Sequence, residues 1–348
     1  MIALCALLVL SRQSTPTQVK GLIDPGRCRI RIPIAGREYT LLVDTGNQGS
    51  HLRRDVKAQI LRDDPAATLT LGSGSVPVKG LDTGDSTIYD EYPPIEGILG
   101  MDVLADLVIG IDYRNKNLVI LPTGGGDWIG RDATAVPLLY EEDTTCPYVA
   151  TQFGTSVLDT GATVSLMPKD ATSSASIVKT RITRPLELFD ASPGDVTLAI
   201  ATKLEVADRT LFCAPVLLSD VADRGVVAPS LLADRIVIDL ADRQLWRPAK
   251  TRSATTLCQA LSLLFRERVF EDKGGLYLDA SLAGLPKKEF AKIVSVNGRT
   301  AADLLALFER RDPKAPEIMR NMFNALRTGC KAVMQAGSNR FTMVLKAS

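Results

Sequence analysis

The sequence predicts a mainly-β protein made of two copies of one unit, followed by a small α+β domain. Three observations support this prediction. Residues 28–34 alternate between polar and apolar, as in a half-buried strand. Two apolar runs end in the tripeptide Asp-Thr-Gly, at residues 44–46 and 159–161. Similar segments follow both tripeptides in the same order, which indicates an internal duplication.

Composition limits the possible functions. Of the 348 residues, 45% are hydrophobic and 23% charged, typical of a soluble globular chain. The net charge of +1 gives no basic surface that would predict a nucleic-acid partner. His51 is the single histidine, so a zinc site of several histidines is excluded and a Ser-His-Asp triad is improbable. The six cysteines lack the Cys-x-x-Cys spacing, and we therefore predict no metal and no cofactor.

The first unit opens with a predicted hairpin, whose second strand, 39–43, runs into Asp44. A second predicted hairpin, 67–71 and 76–78, has the tip Gly72-Ser73-Gly74. A third Asp-Thr-Gly, at 82–84, follows a poor strand pattern, and we interpret it as a surface turn.

The duplication extends well beyond the tripeptides. In the first unit, Gly-Ile-Leu-Gly at 97–100 precedes a predicted short helix near 103–106 and two strands. In the second unit, Gly-Val-Val-Ala at 225–228 precedes a predicted short helix near 229–234 and two further strands. Another predicted hairpin, 185–189 and 196–200, lies between the second tripeptide and this segment. The glycine-rich residues 123–126 join the units.

Residues 25–248 resemble the retropepsin-like aspartic proteases, which are related to pepsin. Asp-Thr-Gly together with Ile-Leu-Gly-Met-Asp-x-Leu carries this resemblance. It implies two β-barrel lobes related by a pseudo-twofold axis, 21–125 and 126–250. Two copies in one chain resemble the bilobal members, so a monomer would suffice for catalysis.

The resemblance implies the roles of the site residues. Asp44 and Asp159 would form a catalytic pair that shares one proton and activates a water. Thr45, Gly46, Thr160 and Gly161 would support the pair, and Gly72, Ser73 and Gly74 would form a flap over the substrate. The hairpin around 190–194 would be the second flap. The predicted function is aspartic endopeptidase, with a peptide or protein as substrate.

Two positions depart from the family pattern. Asn47 follows the first tripeptide, whereas Ala162 follows the second, and Ala228 replaces the glycine found at 100. An Asn amide that donated to Asp44 would lower its pKa, making Asp44 the base and Asp159 the acid. The alternative is that Asn47 only turns the loop outward. The departures also leave open a second function, a weakly active or inactive peptide-binding protein.

Residues 254–348 resemble a PDZ domain. The resemblance rests on the order of the elements along the chain, which is a Gly-Leu-x-Leu loop, Ile-Val-Ser-Val-Asn-Gly, a helix and two strands. Thr300 is predicted to cap a helix over 301–310, and a second helix is predicted over 316–327. Such a domain would bind an extended peptide by strand addition. The alternative is a packing domain without a ligand.

The N-terminal segment, 1–20, is interpreted as an export signal and linker, because ten mostly apolar residues precede a polar stretch. Export would permit disulfides. The pairs that stay within one predicted domain are Cys146 with Cys213 and Cys258 with Cys330.

Overall fold

The computed structural model describes residues 17–19, 21–24, 27–84, 95–122, 124–185, 195–219, 222–249, 254–265, 269–279 and 290–346. The mainly-β class is confirmed, with several sheets and a few helices. The predicted export signal lies outside the described residues, apart from 17–19.

The strands of the two duplicated units are β1 (Thr17–Val19), β2 (Gly21–Asp24), β3 (Arg27–Ile34), β4 (Arg37–Val43), β5 (His51–Arg53), β6 (Thr68–Leu71), β7 (Gly74–Pro77), β8 (Asp82–Gly84), β9 (Gly97–Leu99), β10 (Val108–Asp112), β11 (Asn117–Leu121), β12 (Ala133–Pro137), β13 (Tyr148–Thr151), β14 (Gly154–Leu158), β15 (Leu166–Met167), β16 (Ile177–Pro185), β17 (Asp195–Val206), β18 (Arg209–Ser219), β19 (Gly225–Val227), β20 (Arg235–Asp239) and β21 (Gln244–Pro248). The C-terminal region adds β22 (Val269–Asp272), β23 (Gly275–Asp279), β24 (Phe290–Val296), β25 (Arg299–Thr300), β26 (Cys330–Ala336) and β27 (Asn339–Leu345).

The α-helices are α1 (Arg54–Asp63), α2 (Met101–Leu104), α3 (Gly126–Ile129), α4 (Ala254–Phe265), α5 (Ala301–Glu309) and α6 (Ala315–Ala325). Short 3₁₀ helices occur at Val78–Gly80, Lys169–Ser173 and Pro229–Leu231. The short helix predicted near 103 is present as α2, and the one predicted near 229 is present as the 3₁₀ helix Pro229–Leu231. No helix among the described residues is long and apolar enough to cross a membrane.

The two units share an arrangement of five strands, β3-β4-β9-β5-β8 in the first and β13-β14-β19-β15-β18 in the second. The first sheet has the order β2-β3-β4-β9-β5-β8, and the second has β13-β14-β19-β15-β18-β17-β16. In the first sheet the short strand β9 lies between β4, which ends at the aspartate, and β5. In the second sheet β19 lies in the same way between β14 and β15. β9 runs parallel to β4, as β19 runs parallel to β14. The duplication seen in the sequence is therefore a duplication of topology.

A six-stranded sheet joins the units, with the order β1-β11-β10-β20-β21-β12. Its central pair consists of the equivalent strands β10 and β20, which run antiparallel with Gly110 opposite Val237. Arg235 on β20 binds Asp112 at the end of β10, with an Nη2–Oδ2 distance of 2.8 Å. Main-chain hydrogen bonds between the repeats thus fix one unit against the other.

The C-terminal region forms its own sheet, β22-β23-β24-β26-β27, with β25 paired to β24. Thr300 caps α5 as predicted, because its hydroxyl accepts a hydrogen bond from Asp303 N at 3.1 Å. Helix α6 and the two closing strands also lie where the sequence places them. The helix α4, by contrast, was not predicted from the sequence.

The C-terminal region shares a hydrophobic core with the second unit. Leu257 and Phe265 of α4 pack in one cluster with Leu166, Ile200 and Leu217 of the second sheet. Helix α6 lies against β16, and Asn324 Oδ1 accepts a hydrogen bond from Arg181 N at 2.7 Å. One continuous core therefore spans the predicted boundary near residue 250.

The glycine loop of the PDZ-like region has a different role from the predicted one. Lys273 and Gly274, both with positive φ, form the tight turn of the β22–β23 hairpin. Both edges of β23 are occupied, by β22 and β24. A peptide therefore cannot add to β23 next to the Gly-Leu-x-Leu segment, and strand addition elsewhere on this sheet stays a prediction.

The third Asp-Thr-Gly is a strand rather than the predicted surface turn. Asp82, Thr83 and Gly84 form β8, which pairs in parallel with β5 at the edge of the first sheet. Asp82 and Thr83 are exposed, so the surface location is correct. An edge strand of three residues depends on its neighbour for hydrogen bonds, which a local sequence pattern does not reveal.

Candidate active site

The two aspartates stand at equivalent ends of β4 and β14. Asp44 N donates to Leu99 O of β9, and Asp159 N donates to Val227 O of β19, each at 3.0 Å. The backbone of each catalytic-type turn is therefore fixed by the strand that passes beside it. Both aspartates are half-buried.

Thr45 and Thr160 hold the two turns together. Thr45 Oγ1 donates to Leu158 O at 2.5 Å, and Thr160 Oγ1 donates to Val43 O at 2.7 Å. Each hydroxyl also accepts a hydrogen bond from the other threonine's backbone N–H at 3.1 Å. Both side chains are fully buried, and these four hydrogen bonds cross the pseudo-twofold axis. The structure thus places both threonines as the sequence predicted.

Gly46 and Gly161 allow the two carboxyls to approach each other. A Cβ at Gly46 would lie 2.7 Å from Cγ of Asp159, and a Cβ at Gly161 would lie 2.7 Å from Cγ of Asp44. Real side chains do not tolerate such distances, so only glycine fits at either position. The same Cβ at Gly161 would lie 2.7 Å from Asp44 Oδ2 and 3.0 Å from Asp159 Oδ1, so the two carboxyls lie close together.

Burial raises the pKa of both aspartates, and the charge of Asp159 raises that of Asp44 further, to well above its usual range. The hydrogen bonds from the backbone differ between them. Asp159 Oδ1 accepts from Gly161 N at 2.6 Å and Ala162 N at 3.2 Å, whereas Asp44 Oδ1 accepts from Gly46 N at 2.9 Å. Because more donors favour the charged form, Asp159 is the carboxyl that ionises more readily and Asp44 the one that more readily keeps the shared proton.

This assignment reverses the prediction that was based on Asn47. The Asn47 side chain is turned towards His51, with Nδ2 2.7 Å from Nε2 of the imidazole. The groups that most affect the pKa of Asp44 are Asp159, Gly46 and Arg27. Asn47 therefore fails to support Asp44 as the base, because its side chain is directed at His51 and, among the described residues, donates no hydrogen bond to Asp44.

A pair of buried serines supports both turns and was missed at the sequence level. Ser50 Oγ accepts from Gly100 N at 2.9 Å, and Ser165 Oγ accepts from Ala228 N at 3.1 Å. Each serine stands six residues after its aspartate, so aligning the two repeats would have identified them. They fix the segment that passes beside each aspartate.

The same comparison explains how Ala228 is accommodated. A Cβ at Gly100 would lie 2.6–2.8 Å from the backbone of Gly49 and Asn47, where Met101 N binds Asn47 O. In the second repeat, proline at 229 has no N–H to make the equivalent bond. The loop after Asp159 is therefore not held by a hydrogen bond against residue 228. Alanine fits at this position and is fully buried.

The predicted flap at Gly72, Ser73 and Gly74 is a hairpin tip, but it is packed against the body of the first unit. A Cβ at Gly74 would lie 2.1 Å from Val103 O of α2, and one at Gly72 would lie 3.0 Å from Ile120 Cγ2. Such contacts hold the tip against α2 and β11, so the prediction of a free flap there is wrong. For the second predicted flap, β16 and β17 flank residues 186–194, which lie outside the described residues.

Both predicted disulfides are wrong. Cys146, Cys213, Cys258 and Cys330 are all free thiols. Cys213 and Cys330 are fully buried among apolar side chains, where burial raises the pKa of Cys330 to about 11. Within the described ranges, no group of three or more His, Cys, Asp or Glu residues is arranged to hold a metal.

No protein-family model matches the sequence, and a search of curated proteins finds no match. Among solved structures, the chain is similar to basic 7S globulin from soybean, with 10% sequence identity and a TM-score of 0.39. The alignment covers 68% of this chain and 95% of the globulin chain. Because this similarity is weak, we interpret the site from its own geometry.

Proposed function

We propose that the chain is an aspartic endopeptidase whose catalytic residues are Asp44 and Asp159. The closely spaced pair of carboxyls carries this proposal, since two aspartates that share a proton supply an acid and a base together. The four threonine hydrogen bonds support it further, because they fix the carboxyls relative to each other before a substrate binds.

The proton assignment defines the roles of the two residues. A water between the carboxyls would lose a proton to ionised Asp159 and attack the peptide carbonyl carbon. Protonated Asp44 would give its proton to the carbonyl oxygen, forming a neutral diol. Asp159 would then return its proton to the amide nitrogen while ionised Asp44 takes a proton from a hydroxyl of the diol. The C–N bond breaks, an amine and a carboxylic acid are released, and the pair returns to its starting protonation state. All protons balance without a covalent intermediate.

The test is cleavage of an unfolded protein across a range of pH, with and without pepstatin. Asp44→Asn and Asp159→Asn should each lower the rate by about 10²–10⁴-fold, because each removes one proton-transfer group. Asp82→Asn is the matched control, since it makes the same change in the third, exposed Asp-Thr-Gly and should leave cleavage unaffected. Saturable binding of peptide without cleavage by the wild-type chain would instead support the binding-protein alternative.

A further inference from the structure

Arg27 lies next to the end of the ladder that leads into the first aspartate. Strand β3 pairs with β4 so that Cys28 is opposite Val43. Arg27, the first residue of β3, and Asp44, the residue after β4, therefore stand one position beyond this last pair. Arg27 is half-buried, and its guanidinium carries a fixed positive charge that acts on both carboxyls.

The second unit has a neutral residue at the equivalent position. Leu158 N donates to Pro147 O at 2.8 Å, which extends the β13–β14 ladder by one residue. The following position brings Cys146 opposite Asp159. The pseudo-twofold axis therefore relates a cation on one side of the pair to a buried thiol on the other.

The other titratable groups that interact with the pair are neutral. Burial raises the pKa of the Cys146 thiol and that of Tyr113 to well above its usual range. Cys28, next to Arg27, has its pKa raised by burial to about 12. The positive charge of Arg27, by contrast, lowers the pKa of both Asp44 and Asp159.

We propose that Arg27 is a positioning residue that sets the pH interval in which the two aspartates hold one proton between them. This inference rests on the proposed peptidase function. With two protons the pair has no base, and with none it has no acid, so activity requires the singly protonated state. A nearby cation favours each loss of a proton and moves both limits of this interval to lower pH.

The test compares kcat/KM for a peptide substrate across pH in the full-length chain and its variants. Arg27→Gln and Arg27→Met, two neutral variants of different shape, should shift both limbs of the profile to higher pH by about 0.5–1 unit. Arg27→Lys keeps the charge and should preserve the wild-type profile. Arg31→Gln is the control, because Arg31 is exposed on the same strand, about 13 Å further along.

A second measurement separates this inference from the proposed function. Titration of ¹³C-labelled aspartate carboxyls by NMR follows the pair without any cleavage assay. If the wild-type chain cleaves nothing, the proposed function fails, while the titration still tests the effect of Arg27. Limbs and titration midpoints that stay in place in the folded neutral variants, or that move equally in Arg31→Gln, would overturn the role of Arg27.

Discussion

The two units share a backbone arrangement but differ in the side chains that surround the two aspartate turns. On β5, His51 lies opposite Asp82 of β8 and contacts Asn47. At the equivalent positions the second unit has Leu166 on β15, Leu217 opposite it on β18, and Ala162.

The C-terminal region explains this difference. Leu166 and Leu217 are buried in the core shared with α4, whereas His51 is half-buried and Asp82 exposed. Burial of apolar area against a neighbouring domain is favourable, and a buried imidazole or carboxylate there would cost free energy. The two aspartates and their supporting residues are therefore repeated in both units. The residues around them differ according to whether another part of the chain packs against them.

The largest expected effect tests whether the C-terminal region is part of the second unit's core. Phe265→Ala removes a fully buried ring of α4 and should lower the free energy of unfolding by about 3–5 kcal/mol. Calorimetry should show a single transition shifted as a whole. Phe290→Ala is the control, since that ring is 52% exposed. A separate early transition that leaves the second unit intact would contradict the shared core.

An intermediate effect tests the asymmetry between Gly100 and Ala228. Gly100→Ala would place a methyl group against the backbone of Gly49 and should destabilise the fold by about 1–3 kcal/mol. Ala228→Gly removes a buried methyl from a position that accepts it and should cost about 1 kcal/mol. Denaturant midpoints measure both changes. Equal costs would mean that proline at 229 does not relax the second turn.

The smallest expected effect concerns Asn47. Asn47→Ala gives the first unit the residue found at 162, and both limbs of the pH–rate profile should stay within about 0.2 unit of wild type, because the Asn47 amide binds His51 and not Asp44. A rise of the acidic limb to higher pH would instead show that Asn47 donates to Asp44 under the assay conditions.

Sequence reasoning identified the residues that the duplication repeats. An apolar run followed by Asp-Thr-Gly predicted the strand, the turn and the pair of aspartates, because each part of that pattern has a local physical cause. Ser50 and Ser165 carry the same kind of repeated signal and were missed only because the two repeats were not aligned residue by residue.

Other features depend on contacts distant in sequence. The glycines at Gly72–Gly74 predict a turn from the local sequence. The packing of that turn depends on Val103 and Ile120, which are distant in sequence. Cysteine spacing likewise contains no distances, so the disulfide predictions had no geometric basis. Helix α1 was missed although Val56 and Ile60 mark its buried face, since only two of its four apolar residues are buried and the periodic pattern is weak.

The antiparallel pairing of β10 with β20 has a consequence for synthesis of the chain. β10 acquires this partner only when a segment about 130 residues further along has left the ribosome. At ordinary rates of translation that delay is roughly 10 s or more, during which the first repeat has an apolar strand without its final neighbour. An unpaired strand edge readily accepts strands from other chains. The yield of folded protein is therefore most sensitive while only the first repeat has been made. At that time a chaperone could cover the unpaired edge, or a nascent chain on a neighbouring ribosome of the same message could pair with it.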